Sequence, residues 1–160
     1  MVGEMSYDNQ DIQDVEIARH LRLGEITCHC CGRGAMNVAW LTAWGRLRAV
    51  RNMPITMMSG FRCPAHNAEL VESYGASVDS LHMAGIAGDV AAIDPWWFTD
   101  DALAVMVESG FRGIGRHREW SFVHMDVRST PYFWTYEGKA RHEDKDAMKI
   151  FEMRRLRHDG

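Results

Sequence analysis

The most informative stretch of the sequence is Ser80-Leu81-His82-Met83-Ala84-Gly85-Ile86-Ala87-Gly88-Asp89, which a second stretch, His124-Met125-Asp126, complements further along the chain. Small residues between His82 and Asp89 let the backbone turn tightly, so the two side chains can converge on one ion. Two imidazoles and a carboxylate are ligand types that hold catalytic zinc, whose fourth position stays open for water. The sequence therefore predicts a metal site with the ligands His82, Asp89 and His124.

The residues around His124 have the alternating pattern of a β-strand. From Phe122 to Arg128 the period of two places His124, Asp126 and Arg128 on one face. A polar face of this kind suits the floor of a cleft. The alternative is an edge strand whose solvated face carries a histidine and two charges.

The first long helix is predicted between two recognisable ends. Asn37 can cap a helix that runs from Val38 to about Arg51. The spacing of its apolar residues predicts one buried stripe, made of Trp40, Ala43, Trp44, Leu47 and Val50.

Two further helices and a sheet are predicted after this one. Pro64 fits the first turn of a helix that ends before Gly75, and a third helix begins at Thr99 or Asp100 and stops at Gly110. Strands are predicted over residues 54–58, 86–93, 111–115, 121–128 and 132–136. The expected fold class is α+β, with a small, mainly antiparallel sheet, helices packed on one side and the zinc site in a cleft on the sheet.

The composition indicates one globular domain and narrows the possible partners. The 160 residues are 46% hydrophobic and 25% charged, which is enough apolar material for a core. A net charge of −4 without a basic stripe argues against a nucleic-acid partner, and no apolar run is long enough to predict membrane insertion. The start, Met1 to Asp8, lacks the basic and apolar regions of a secretory signal, which predicts cytoplasmic synthesis.

The end of the chain differs in character from the rest. From Glu137 to Gly160, charges of both signs alternate with a few apolar residues, namely Met148, Phe151 and Leu156. This pattern fits a packed appendage or a solvated extension, and the second is expected. The predicted organisation is a domain over residues 1–136 and a charged C-terminal extension over residues 137–160.

The four cysteines allow three interpretations. Three of them lie in Cys28-His29-Cys30-Cys31, and the fourth, Cys63, precedes His66 by three residues. Thiolates and an imidazole could hold a structural zinc ion. A disulfide from Cys28 or Cys30 to Cys63 is a second option, which a reducing cytoplasm disfavours. The favoured interpretation is that these small residues pack a turn.

Four stretches of the sequence form a recognisable series. They are Cys28-His29-Cys30-Cys31-Gly32, Ser59-Gly60-Phe61-Arg62-Cys63-Pro64-Ala65-His66-Asn67, Ser80 to Asp89, and Gly113-Ile114-Gly115-Arg116 with Phe122-Val123-His124-Met125-Asp126. Together they span roughly residues 24 to 136, and the pattern Ser-x-His-x-x-Gly-x-Ala-x-Asp is highly specific. The series resembles peptidase family M15, the zinc peptidases of peptidoglycan, which share their metal fold with the hedgehog signalling domain.

The resemblance implies an activity. It implies a peptidase with one zinc ion per chain, which hydrolyses stem or cross-bridge peptides of peptidoglycan as a D-alanyl-D-alanine carboxypeptidase or an endolysin-type endopeptidase. Such a protein would reach the cell wall after lysis or on a phage particle. The alternative is a catalytically inactive module of the same fold, which binds zinc and recognises the wall or serves as a structural part of a virion.

The resemblance also raises the question of the general base. Many members place a glutamate, aspartate or histidine two or three residues before the last metal histidine, where this chain has Phe122 and Ser121. Asp126 is therefore the expected base, because it should share a strand face with that histidine, and the alternative is a partner that orients a ligand imidazole. Glu119 and His117, in the preceding loop, are the next candidates.

Two further residues receive expected roles from the resemblance. Arg62 is expected to bind substrate and to stabilise the oxyanion of the tetrahedral intermediate. Ser80 is expected to bind substrate or to brace the loop of His82. Without the resemblance, a surface salt bridge for Arg62 and a turn hydroxyl for Ser80 would be preferred.

Overall fold

The computed structural model of the protein describes residues 14–158. The first eight residues, which are predicted to carry no secretory signal, lie outside this range, as do the last two residues of the predicted extension. Between residues 14 and 158, no helix combines the length and the apolar character that crossing a membrane requires.

Within the described range, the chain forms five helices and eight strands. The helices are α1 (Leu23–Ile26), α2 (Val38–Arg51), α3 (Pro64–Tyr74), α4 (Asp100–Ser109) and α5 (Lys145–His158), with one 3-10 turn at Pro95–Phe98. The strands are β1 (Glu16–Ala18), β2 (Leu21–Arg22), β3 (Met57–Ser59), β4 (Ala87–Ala91), β5 (Gly113–His117), β6 (Phe122–Asp126), β7 (Tyr132–Glu137) and β8 (Ala140–Glu143).

Six of the strands form one sheet in the order β3-β4-β6-β5-β7-β8. All neighbouring strands are antiparallel except β5 and β7, which are parallel. The strands β1 and β2 form a separate antiparallel pair. The predicted α+β class with a mainly antiparallel sheet is therefore confirmed.

The two faces of this sheet differ. One face carries the core, to which the strands contribute Val90, Ile114, Val123, Met125 and Phe133, all 1% exposed or less. Because successive side chains of a strand alternate between faces, the intervening residues project from the other face. The register places Asp89 beside His124 and His124 beside Gly115 in one row across that second face. The predicted ligand pair thus lies opposite the core.

Helices α2, α4 and α5 cover the core face. Trp40 and Trp44 of α2 are fully buried and stacked, with ring centroids 5.6 Å apart. The Trp40 indole N–H donates to the carbonyl of Met125 at 3.0 Å, which ties α2 to β6. Helix α3 instead borders a cavity on the other face, together with Asp89 and His124. The prediction that the helices pack on one side is wrong for α3, because the short loop from edge strand β3 keeps it beside that strand.

The helix boundaries follow the predicted signals. Asn37 caps α2 and Thr99 caps α4, each by accepting a hydrogen bond from a backbone N–H of the first turn. Pro64 occupies the first turn of α3. Gly75 and Gly110 end α3 and α4 in the left-handed conformation, as C-terminal glycines commonly do.

One predicted core residue is exposed. Val50 is 66% exposed, although the rest of its stripe is buried. The inner position at this end of α2 is taken by Arg51, whose side chain is 5% exposed and lies over the ring of Trp96 at 4.2 Å. A guanidinium on an aromatic face can replace an aliphatic side chain there.

The observed strands lie close to the predicted ones but differ in their bounds. Strand β3 contains only the last part of the predicted segment 54–58, and β4 is shorter than the predicted segment 86–93. Strand β5 begins two residues later than predicted, because Phe111 is a fully buried core residue directly after α4. Strand β7 begins at the predicted residue, Tyr132.

The segment after Glu137 packs on the domain. Strand β8 pairs with β7 and extends the sheet, and α5 follows. The carboxylate of Asp144 caps the first turn of α5 and pairs with Arg116 of β5 at 2.6 Å. Phe151 of α5 packs against Phe133 of β7, with ring centroids 5.6 Å apart. The expected solvated extension is therefore wrong for most of the described part, because Ala147, Met148 and Phe151 pack in or against the core.

Candidate metal centre

Three predicted ligands converge on one point of the second sheet face. The Nε2 atom of His82 lies 3.2 Å from Oδ1 of Asp89 and 3.3 Å from Nδ1 of His124. The His124 Nδ1 atom lies 2.9 Å from the same Asp89 oxygen. Each ligand therefore offers one atom to a common position, as predicted.

His82 is held by the turn that precedes β4. Its Nδ1–H donates to the carbonyl of Gly60 at 2.7 Å, which leaves the Nε2 lone pair free to face the other two ligands. Gly85 permits this turn because its φ is +67° and because a Cβ there would lie 2.3 Å from the carbonyl oxygen of Ala35. The side chain of His82 is 2% exposed, so the ring has little freedom.

The two carboxylate oxygens of Asp89 have different partners, which are the two histidine ligands and the guanidinium of Arg62. While Oδ1 faces the two imidazoles, Oδ2 accepts a hydrogen bond from Arg62 Nη2 at 2.6 Å. Arg62 is itself held by Ser59, whose hydroxyl accepts from Nε at 2.8 Å. The carboxylate is therefore oriented to present one oxygen.

His124 presents Nδ1 to the cluster because its other nitrogen is occupied. Its Nε2–H donates to Oδ2 of Asp126 at 3.0 Å. Asp126 is fully buried and also accepts from the backbone N–H and the guanidinium of Arg128, with Nε at 2.8 Å from Oδ1. A carboxylate that receives the outer N–H of a metal-ligating histidine fixes its tautomer and ring orientation.

This position differs from the one predicted for a general base. Asp126 leaves the same strand face as His124, but its carboxylate lies at the far edge of that ring, away from the converging atoms. The role of Asp126 as general base stays a prediction, and its observed position is that of a partner that orients a ligand imidazole. A spacing of two along a strand fixes the face but does not determine which edge of the imidazole the carboxylate meets.

The electrostatics of the cluster favour a bound cation. Burial lowers the pKa of His82, which keeps its ring neutral and able to ligate. Burial opposes ionisation of Asp89, but the neighbouring histidines hold the pKa of this carboxyl well below its usual value. Burial likewise opposes the charged form of His124, but its bonds to Asp126 and Asp89 raise its pKa. A metal cation can replace the proton that these two carboxylates attract to His124.

The three ligand atoms lie close enough to share one ion. Metal–ligand bonds of about 2.0–2.2 Å to nitrogen and oxygen place neighbouring tetrahedral ligands about 3.3–3.6 Å apart. The observed separations, from 2.9 to 3.3 Å, are at or slightly below that range, so small shifts of the side chains would admit a tetrahedral ion. The site also has an open side, because the ligands line a cavity of about 360 Å³. The residues present can therefore hold a metal ion and leave a position free for another ligand.

The comparison of the sequence with protein families agrees with this geometry. The family described as Peptidase M15 matches residues 13–126, well over half of the chain and including all three ligands. The chain belongs to the peptidase M15 family. It is therefore a peptidase of the hydrolase class, and the predicted resemblance is confirmed. No curated protein matches the chain.

The two other candidates for the general base of this M15 domain, Glu119 and His117, lie away from the metal ligands. Glu119 is exposed and lines a separate cavity with Arg116 and Thr135. His117 is fully buried, donates from Nε2 to the carbonyl of Gly138 at 2.9 Å and accepts the N–H of Trp120 on Nδ1. The structure brings neither residue to the metal-binding atoms, because His117 ends β5 two residues beyond the partner of His124, and Glu119 lies in the turn that follows.

The two predicted substrate-binding residues do lie at the site. Arg62 lines the cavity and is tied to Asp89, so its observed contact is a buried ion pair with a ligand. Ser80 also lines the cavity, and its carbonyl accepts the N–H of Met83 within the turn that carries His82. Their roles toward substrate stay predictions.

Other residues of the cavity were missed by sequence reasoning. Tyr136 of β7, with Lys139 and Arg141 after it, lines the same cavity as the ligands. Trp134 lies beside His124, with ring centroids 5.3 Å apart, over the space that Gly115 leaves open. The alternation of aromatic residues from Tyr132 onward could have indicated this wall. The basic residues could not be found, because they belong to the segment expected to be solvated.

Proposed function

We propose that this M15 protein is a zinc-dependent peptidase that hydrolyses stem or cross-bridge peptides of peptidoglycan. The observation that carries the proposal is the convergence of three ligand atoms at the floor of an open cavity. One zinc ion held by His82, Asp89 and His124 would supply Lewis acidity and an activated water at neutral pH. Two nitrogens and one oxygen with one open position are typical of catalytic zinc sites.

The residues of the chain orient these ligands. Arg62 holds Asp89, and Asp126 holds His124, so two of the three ligands have a charged partner behind them. Such partners keep the coordination geometry fixed while substrate binds. Arg62 also faces the cavity, where a guanidinium can donate to an oxyanion that develops on a peptide carbonyl.

The walls of the cavity suit a peptide that carries negative charge. Lys139 and Arg141 line it, and among the described residues neither forms an ion pair with a carboxylate. Arg141 is held over the rings of Trp134 and Tyr136, at 5.4 and 5.6 Å. Stem peptides of peptidoglycan offer carboxylates for such cations, and their alkyl parts can pack on the aromatic wall.

A direct test is digestion of purified muropeptides by the zinc-loaded protein, followed by mass spectrometry. Loss of a terminal alanine would identify a carboxypeptidase, whereas separation of cross-linked dimers would identify an endopeptidase. We expect activity to disappear in His124→Ala, and to disappear and return when zinc is removed by a chelator and restored. A zinc-loaded protein that leaves every muropeptide intact would refute the proposal.

One observation favours a second candidate, a catalytically inactive zinc-binding module that recognises wall or forms part of a virion. Among the described residues that line the cavity, Asp89 is the only carboxylate, so a carboxylate base is absent there. Besides the two ligand histidines, the lining includes the imidazole of His29, which is chemically able to accept a proton. Sedimentation of the protein with intact sacculi, without release of any fragment, would support the binding module.

A further inference from the structure

A second group of possible metal ligands lies at the start of α3. The Sγ atoms of Cys28, Cys30 and Cys63 all lie within 4.8 Å of one another. Cys28 and Cys63 are buried, at 1% and 5% exposure, and Cys30 is at the surface. None of the cysteines is in a disulfide, so the bridge that a reducing cytoplasm disfavours is not formed in the structure. Three convergent thiols are more than the packing of a turn requires.

The separations within this thiol cluster match ligands around an ion. The Sγ atoms of Cys30 and Cys63 are 3.6 Å apart, and Cys28 Sγ is 3.4 Å from Nδ1 of His66. A tetrahedral zinc ion, with bonds of about 2.3 Å to sulfur and 2.0–2.1 Å to nitrogen, would separate two sulfurs by about 3.8 Å and a sulfur and a nitrogen by about 3.6 Å. His66 lies outside the group of three sulfurs that are all within 4.8 Å of one another, and its Nδ1 atom, beside Cys28, is available to complete the set of ligands.

The local backbone builds the cluster from two segments. The first is a turn in which the N–H of Cys28 donates to the carbonyl of Arg33 and the N–H of Gly32 donates to that of Cys28, both at 2.8 Å. The second is the first turn of α3, where the sulfur of Cys63 accepts the N–H of His66 at 3.4 Å. The sulfur of Cys28 accepts the N–H of Cys63 at the same distance. N–H donors aimed at sulfur stabilise thiolates, which are the ligating form of cysteine.

We propose that a second, structural zinc ion is bound by the four ligands Cys28, Cys30, Cys63 and His66. Four protein ligands leave no open position, which distinguishes this closed site from the one at His82. The ion fastens the turn after α1 to the start of α3, and Cys63 is the neighbour of Arg62 in the chain. The closed site therefore fixes one end of the loop that delivers Arg62 to Asp89.

The proposal is tested by the zinc content of protein purified without chelators, measured by elemental mass spectrometry. We expect about two zinc ions per chain in the parent protein and about one in Cys30→Ser and in His82→Ala, each of which removes a different site. Cys30 is exposed, so its replacement spares the core. The matched control is Cys31→Ser, an exposed cysteine outside the ligand set, which should keep both ions.

Cobalt substitution identifies the ligands independently of activity. Thiolate ligation should give intense charge-transfer absorption in the near ultraviolet, which Cys30→Ser and His66→Ala weaken and His82→Ala leaves unchanged. If the parent protein showed no such absorption, or if Cys31→Ser removed it while His66→Ala did not, the ligand set would be wrong. A fresh protein whose mass shows a Cys30–Cys63 disulfide would also overturn the proposal. Failure of muropeptide hydrolysis would leave these readouts unaffected, so the two proposals fail separately.

Discussion

Asp126 is adjacent in space to a metal ligand and yet faces away from the metal-binding atoms. Its carboxylate receives the outer N–H of His124 and three donors of Arg128. Burial opposes its ionisation, but the bonds from Arg128 and His124 hold its pKa well below the ordinary value. An acid that remains so firmly ionised is a weak proton acceptor. It is suited instead to fixing the orientation of an imidazole.

We therefore expect Asp126→Asn to weaken zinc binding by about 10- to 100-fold, because His124 loses a charged partner. Competition with a chromophoric chelator would measure the dissociation constant. Asp144→Asn is the matched control, since it removes a carboxylate that is paired with Arg116 away from the ligands and should leave zinc affinity unchanged. If Asp126→Asn kept full zinc affinity but lost turnover and the acidic limb of the pH profile, the residue would be a general base after all.

Arg62→Ala should also weaken zinc binding, because the Oδ2 atom of Asp89 loses its 2.6 Å partner and the carboxylate can rotate. A loss of about tenfold or more in affinity is expected. Lysine should restore it only in part, since a point charge cannot contact both Ser59 and Asp89 as the planar fork does. Unchanged affinity with turnover reduced by about 10²-fold would assign Arg62 to the oxyanion alone.

The sequence predicted the metal ligands, and it offered the orienting role of Asp126 only as the alternative to a general base. His82 and Asp89 could be predicted because their short spacing and the glycines between them determine a local turn. The role of Asp126 depends on how the ring of His124 is rotated. Arg128 holds the Asp126 carboxylate, and this carboxylate in turn fixes the rotation of the ring. Spacing carries no information about such a rotation.

Among the elements, strand β5 shows how a missing side chain shapes the site. A Cβ on Gly115 would lie 2.3 Å from the ring of Trp134, and the two residues are register partners on neighbouring strands. The indole thus occupies the space above the glycine and reaches the ring of His124. The glycine is required by close approach, not by a special backbone conformation.

Gly115→Ala should lower the free energy of unfolding by about 1–3 kcal/mol, because the indole must shift within a packed layer. Urea denaturation would measure the change. Gly45→Ala is the matched control, since Gly45 lies within helix α2 with no neighbour within 4 Å of an added Cβ. That variant should gain about 0.5–1 kcal/mol from helix propensity. If both variants changed the free energy of unfolding equally, the close packing of Trp134 against Gly115 would be contradicted.

The helices were predicted more accurately than the strands for a physical reason. A cap such as Asn37 or Thr99 acts on the adjacent turn, so its effect can be recognised from neighbouring residues. A strand ends where its partner ends, and the partner lies elsewhere in the chain. Strand β5, for example, is paired with β6 on one side and β7 on the other, and its bounds depend on both.

For the whole molecule, the segment after Glu137 is part of the folded unit. It supplies β8 at one edge of the sheet, α5 on the core face and two basic residues in the cavity. Its local sequence is polar with few apolar residues, which is why a solvated extension was expected. Phe151 packs against Phe133, which lies on a different element, so the pattern within the segment could not predict that contact.

Phe151→Ala should destabilise the protein by about 2 kcal/mol, somewhat less than the 3–5 kcal/mol typical of a fully buried ring. Leu156→Ala in the same helix should change stability by less than about 0.5 kcal/mol, because Leu156 is 69% exposed. Thermal unfolding of the full chain would measure both changes. If the Phe151→Ala protein were as stable as the parent, α5 would be a solvated appendage.

The sheet order has a consequence for amide hydrogen exchange. Strand β6 is bonded on both sides, to β4 and β5, and it carries His124 and Asp126. Its amides should exchange only when the whole protein unfolds. His82 instead lies in the turn before β4, whose bonds from Met83 to Ser80 and from Gly85 to His82 are local. Those amides should exchange ahead of the amides of β6, whereas the bonds of Arg62 to the His82 carbonyl and of Asn37 to the Gly85 carbonyl keep the turn attached to the rest of the domain.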